Sequence, residues 1–101
     1  MKKVNVTELE QKLHSQLYIL LDFSSPGCAP CQKISQTLPS MIAELADIDI
    51  GAFEVDIAAE PGIASKFFVL GVPTLILFKK GQEIARFNSL PKASKIKQLL
   101  S

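Results

Sequence analysis

The chain has 101 residues, 48% of them hydrophobic and 21% charged, so it can fill a single core and reads as one domain over 1–101. Its net charge of +1 gives no electrostatic ground for a nucleic-acid or membrane-surface partner. The opening MKKVNVTELEQK has lysines but no apolar segment behind them, so no signal peptide is expected, and no apolar run approaches the ~18 residues that cross a bilayer.

In chain order, residues 3–6 read as a short edge strand. Thr7 and Glu10 have the spacing of a capping box, which predicts a helix over 8–15 with Leu9 and Leu13 on its apolar face. His14, the only histidine, is expected to be exposed near the end of that helix. Residues 17–23 are almost continuously apolar, as in a central strand covered on both faces. Asp22 interrupts them, and a carboxylate there is costly to bury unless it is paired or neutral. Residues 24–27 form a loop. A helix then starts near Cys28 and is expected to reach Ala46, with Ile34, Leu38, Ile42 and Leu45 at helical spacing. Pro39 falls inside it and predicts a kink or a split, because it lacks a donor and clashes with the preceding turn.

Residues 50–55 read as a further strand ended by Asp56. Glu60-Pro61 suits the start of a short helix through Phe67, with Ile63, Ala64 and Phe67 as its apolar face. After Gly71-Val72-Pro73-Thr74, residues 75–78 form an apolar strand. Lys79-Lys80-Gly81-Gln82 is a hairpin turn with Gly81 at a positive φ, and 83–87 is an edge strand. Residues 92–100 close the chain as a helix bearing Ile96, Leu99 and Leu100, with Lys92, Lys95 and Lys97 as a solvated face. Strands separated by helices are expected to pair parallel through right-handed crossovers, and the last two, joined by a tight turn, antiparallel. The class is α/β, with a single mixed sheet and helices on both faces.

Cys28 and Cys31 are the only cysteines. Their spacing places both sulfurs on one face of a helix start, close enough to bond to each other. The unpaired N–H groups and partial positive charge of a helix N-terminus favour a thiolate, the nucleophile of disulfide exchange. With cytoplasmic location as the default, such a pair is catalytic, redox-sensing or metal-binding rather than a permanent staple. A zinc site needs four ligands, and only His14 remains as a soft donor.

Four features together resemble the thioredoxin family: Asp22-Phe23 ahead of the cysteines, Cys28-Ala29-Pro30-Cys31, Val55-Asp56 followed by Glu60-Pro61, and Gly71-Val72-Pro73-Thr74, whose proline is cis in that family. The resemblance runs from about residue 7 to residue 100. It implies a thioredoxin fold and a thiol–disulfide oxidoreductase that reduces protein disulfides by dithiol–disulfide exchange. No cofactor beyond the cysteine pair and no metal are implied. The implied partners are disulfide-containing proteins and a thioredoxin-reductase-type reductant, and the implied state is a monomer. Cys28 would be the attacking thiolate and Cys31 the resolving thiol. Asp22 would be a buried carboxylate, raised toward neutral by desolvation, that moves a proton for Cys31 through water. Gly27, Ala29, Pro30, Val72 and Pro73 would meet the substrate, Val72 through its backbone groups.

The chain departs from the family pattern at several positions. Gly27 stands where Trp is usual, Ser24 where a second aromatic is usual, and Ala29 replaces Gly. Ala52 replaces a Lys often found near the buried Asp, Asn88 or Ser89 replaces a Gly after the last strand, and Pro39 comes later than its usual place. The loss of aromatic surface bears on substrate recognition. Two other functions stay open on this sequence: a thioredoxin-fold module that binds partners beside Pro73 with incidental cysteines, and a disulfide oxidant or isomerase.

Overall fold

The computed structural model describes residues 1–101, in the order β1 (Lys2–Lys3), α1 (Val6–Ser15), β2 (Tyr18–Ser24), α2 (Ala29–Glu44), β3 (Ile50–Asp56), α3 (Pro61–Lys66), β4 (Thr74–Lys79), β5 (Gln82–Phe87) and α4 (Ala93–Leu100). Five strands form one sheet in the order β1-β3-β2-β4-β5. Strand β2 lies at its centre, which is why its sequence is apolar on both faces. Ile19, Leu21 and Phe23 turn to one side, where they pack in one cluster with Leu9, Ile63, Ile76 and Phe78. Leu20 turns to the other, with Ile34, Leu38 and Leu45 of α2 and the following loop, Leu75 and Leu77 of β4, and Ile96 of α4. Alternation along β2 therefore places Asp22 on the α2 side.

The mixed sheet with helices on both faces agrees with the expected class, but the rule that helix-separated strands pair parallel fails at β4. Strand β2 is parallel to β3 (Tyr18 opposite Ile50, Ser24 opposite Asp56) and antiparallel to β4 (Phe23 opposite Thr74, Tyr18 opposite Lys79). The cause is the length of α3. Six helical residues rise only about 9 Å, whereas a seven-residue strand is about 23 Å long. The helix does not carry the chain back along the sheet, so β4 enters from the end where β3 left.

Helix α1 starts earlier than its sequence suggests. The cap is Asn5, not Thr7: Glu8 N–H donates to Asn5 Oδ1 (2.9 Å) and Asn5 N–H to Glu8 Oε1 (3.2 Å). Two overlapping boxes compete here, and asparagine is the stronger cap residue. Strand β1 is correspondingly short, ending at Lys3. Helix α2 is not split at Pro39, which sits on its exposed side where the carbonyl left without a donor can meet water. Both turn residues Lys80 (φ 51°) and Gly81 (φ 79°) are left-handed, the geometry of a two-residue hairpin that follows sheet twist. In β5, Leu77 faces Ala85 but Phe78 faces Glu83, so Ile84 is the extra residue of a bulge. That is why alternation in 83–87 reads imperfectly. His14 and the lysines of α4 are exposed.

Candidate active site

The end of the sheet where β2 stops carries the cysteines. Ser25, Pro26, Gly27 and Cys28 make a turn closed by Cys28 N–H donating to Ser25 O (3.3 Å). Gly27 is left-handed (φ 79°), and with Pro26 before it this is the pattern of a type II turn, whose third position favours glycine. A Cβ at residue 27 would meet nothing within 4 Å, so the backbone angle, not space, calls for glycine. Gly27 thus shapes the turn ahead of the cysteines.

Cys28 is the N-cap of α2, and its sulfur accepts from Cys31 N–H (3.3 Å). Ala29 and Pro30 fill the first turn, where a missing N–H costs nothing. Cys28 and Cys31 are joined in a disulfide, with Cα atoms 5.2 Å apart. Cys28 is half-buried and Cys31 is 2% exposed, while Gly27, Ala29 and Pro30 lie open around Cys28. The two sulfurs therefore differ in access: an incoming group meets Cys28 first. No group of three or more His, Cys, Asp and Glu side chains is arranged to hold a metal.

Asp22 lies inside, 0% exposed, and neither of its carboxyl oxygens has a hydrogen-bond partner. Desolvation, and secondarily the negative charge of Glu54, push its carboxyl up to about 7. Its ladder neighbours are Leu75 on β4 and Glu54 on β3. Ala52 lies opposite Leu20, not Asp22, and brings no cation.

The loop before β4 lies at the same end of the sheet, because Thr74 is opposite Phe23. The Val72–Pro73 peptide bond is cis, and Thr74 Oγ1 donates to Gly71 O (2.7 Å). A groove of about 420 Å³ runs along this loop, with Val72, Pro73, Phe68, Leu70, Arg86 and Asn88 in its lining. Gly27, Ala29 and Pro30 do not line it. The proposed substrate-contacting residues thus fall into two groups, one around Cys28 and one along this groove.

Four residues of this region escaped the sequence reading. Phe68 is 80% exposed and left-handed (φ 55°), and Leu70 is 100% exposed. Arg86 of β5 reaches over to them, donating to Phe67 O (2.6 Å) and Phe68 O (3.2 Å) while Glu83 holds it at 2.7 Å. Glu54 is the fourth. Its only sequence signal was a carboxylate within an otherwise apolar strand core.

A family model described as Thioredoxin matches residues 1–101. The chain is 36% identical over 83 residues to a thioredoxin of Chlamydia trachomatis, covering 82% of this chain and 79% of that protein. To a thioredoxin of Mycolicibacterium smegmatis it is 34% identical over 89 residues, covering 86% and 80%. Among solved structures it is similar to mitochondrial thioredoxin 3 of Saccharomyces cerevisiae in its oxidized form, with a TM-score of 0.83 and 25% identity over 99% of this chain and 93% of that one. The chain belongs to the thioredoxin family, and its Cys28–Cys31 pair makes it a thiol–disulfide oxidoreductase.

Proposed function

We propose that this chain, as a single thioredoxin-like domain, reduces disulfides of protein substrates with Cys28 as the attacking group and Cys31 as the resolving one. The observation that carries the assignment of roles is the asymmetry of access between the two sulfurs: Cys28 caps a helix beside an open turn, while Cys31 is 2% exposed. The Cys28 thiolate, favoured by the helix N-terminus, attacks a substrate disulfide and forms a mixed disulfide, releasing one substrate thiolate. Cys31 gives up its proton to Asp22, through water, and attacks Cys28. The bond to the substrate breaks, the second substrate sulfur leaves with the electron pair, and the Cys28–Cys31 disulfide forms. A carboxyl poised at about 7 is matched to moving that proton near neutral pH.

The two electrons reside in the cysteine pair, so no bound cofactor or metal is part of this reading. The disulfide is returned to the dithiol by a thioredoxin-reductase-type partner. Substrate segments lie over Gly27, Ala29 and Pro30 and along Val72 and Pro73, with the Val72 backbone groups pairing with an extended chain. The protein acts as a cytoplasmic monomer, without nucleic-acid or membrane partners. None of its helices is long and apolar enough to cross a membrane.

The test is a pair of substitutions assayed with insulin as the protein disulfide. Cys28→Ser abolishes reduction. Cys31→Ser accumulates a mixed disulfide with insulin that gel analysis without reductant reveals. Normal turnover by Cys31→Ser would refute the resolving role. Equilibration against dithiothreitol reads the direction of electron flow: a potential near roughly −270 mV marks a thioredoxin-type reductant, and one near roughly −120 mV a strong oxidant.

A further inference from the structure

Asp22 is fully buried, yet it must exchange a proton for the resolving step, and of its two ladder partners, Leu75 and Glu54, one is polar. Glu54 stands directly opposite on the parallel strand β3 and projects to the same side of the sheet. It is held there from two elements. Ser24 Oγ of β2 donates to Glu54 Oε2 (2.9 Å), and Ser35 Oγ of α2 donates to Glu54 Oε1 (3.2 Å). Ser24, Ser35 and Glu54 line a cleft of about 430 Å³, and Cys31 lines the same cleft. Glu54 is therefore held beside Asp22 on the α2 side of the sheet, in a cleft that Cys31 also lines.

The other charged groups near it are few. Lys3 of β1 reaches to 4.0 Å from Glu54 Oε2, with 66% of its side chain exposed, and Asp56 of β3 lines the cleft further along. The α2 residues that line the cleft beside Ser35 are Cys31, Gln32 and Gln36, none of them a fixed charge. Strand β4 sets Leu75 against Asp22. Helix α4 turns Ile96 inward, and its N-cap Lys92 and its Lys95 and Lys97 are exposed. No cation is placed to cancel Glu54 on the side that faces Asp22.

We propose that Glu54 is a positioning residue for proton exchange at Asp22 and thereby sets the pH range in which Cys31 resolves the mixed disulfide. The inference rests on the reading of Cys31 as the resolving thiol. The step is the one given above: the Asp22 carboxylate takes the Cys31 proton, the Cys31 sulfur bonds to Cys28, and the Cys28–substrate bond breaks with its electron pair going to the substrate sulfur. A fixed negative charge beside Asp22 favours its protonated form, so less of the base is free in acid. Ser24 and Ser35 keep that charge from turning away.

Two readouts test this. In the disulfide form neither cysteine titrates, and carbon-13 NMR of the Asp22 carboxyl follows that group alone. Glu54→Gln lowers its midpoint by about one unit. The second readout is release of 2-nitro-5-thiobenzoate from its mixed disulfide with Cys28, formed in acid and jumped to a series of pH values. The acid limb of that release moves down with the NMR midpoint. Ser35→Ala leaves the charge in place, still held by Ser24, and moves both readouts by much less than Glu54→Gln does. Glu54→Ala is a second charge-removing variant with the same expectation, should Glu54→Gln not fold. An unchanged Asp22 midpoint in the charge-removing variant overturns the inference, as does an equal shift in Ser35→Ala. A shifted midpoint with an unshifted release limb overturns control of the resolving step. If thiobenzoate release behaves as expected but insulin is not reduced, the reading as a protein reductase fails and the role of Glu54 stands.

Discussion

Asp22 and Glu54 are direct partners across the parallel β2–β3 ladder, so two carboxyl groups share the α2 side of the sheet with no cation between them. The consequence for stability has a definite sign. Asp22 titrates at about 7 in the folded protein against an ordinary 3.8, so between these values the folded state binds more protons than the unfolded one. Stability contributed by this group is greatest below 3.8 and falls as pH rises toward 7, then levels off. Linkage puts the whole span on the order of 4 kcal/mol. Asp22→Ala removes this dependence. Urea unfolding well above neutral pH should find the variant more stable than wild type, even after about 1–2 kcal/mol for the lost packing. Below 3.8 the order should reverse. The same variant should slow release of substrate from Cys28. Parallel pH profiles for the two proteins would show that Asp22 does not titrate in this range.

Gly27 carries the second prediction. Its φ of 79° is left-handed and the space around it is open. Gly27→Ala should destabilise the protein by about 1 kcal/mol, with no clash to relieve. Gly27→Trp, which puts back the family's aromatic, should carry the same backbone cost. The midpoint of urea unfolding reads both. Equal stability of Gly27→Ala and wild type would mean the turn opens freely and Gly27 imposes no shape on the approach to Cys28.

What the sequence disclosed and what it hid follow a physical line. The Cys28–Cys31 spacing, Asp22 within an apolar strand and the helix faces of Ile34, Leu38 and Leu45 are local patterns, and each was legible. The shift of the α1 cap from Thr7 to Asn5 reflects two overlapping local signals, of which the stronger cap residue wins. The antiparallel entry of β4 depends on how far a short helix carries the chain, which periodicity does not encode. The partnership of Glu54 with Asp22 needs the register of two strands far apart in sequence. Phe68 was hidden for another reason: an aromatic beside a short apolar helix reads as core, and its backbone angle turns it outward instead.

Arg86 holds the loop that leads into Pro73. Its guanidinium donates to Phe67 O and Phe68 O, capping carbonyls at the end of α3, and also to the Glu83 carboxylate. The ion pair itself is exposed and contributes little, so the hydrogen bonds to the loop are the main effect. Arg86→Ala should lower stability by about 1 kcal/mol. Amide hydrogen exchange should accelerate across residues 67–72 while β2 and β3 stay protected. Insulin reduction should suffer through KM more than kcat. Unchanged exchange in the loop would show that Arg86 does not hold it.

Phe68 sets stability against recognition. An 80% exposed aromatic at φ 55° pays a backbone penalty and gains little burial within the chain. Phe68→Gly relieves the angle, loses few contacts and should raise stability by about 1 kcal/mol. Leu70, wholly exposed two residues on, lines the same groove as Val72 and Pro73. The missing Trp before Cys28 leaves these two side chains as the large apolar groups beside the groove. Phe68→Gly and Leu70→Ser together should therefore raise KM for insulin by about tenfold or more, since full burial of one such side chain is worth roughly 1.5–3 kcal/mol and about 1.4 kcal/mol is tenfold. Reduction of 5,5′-dithiobis(2-nitrobenzoate), which is too small to span the groove, should not change. A stabilised double variant that reduces both disulfides at the wild-type rate would show that this apolar surface takes no part in recognising protein substrates.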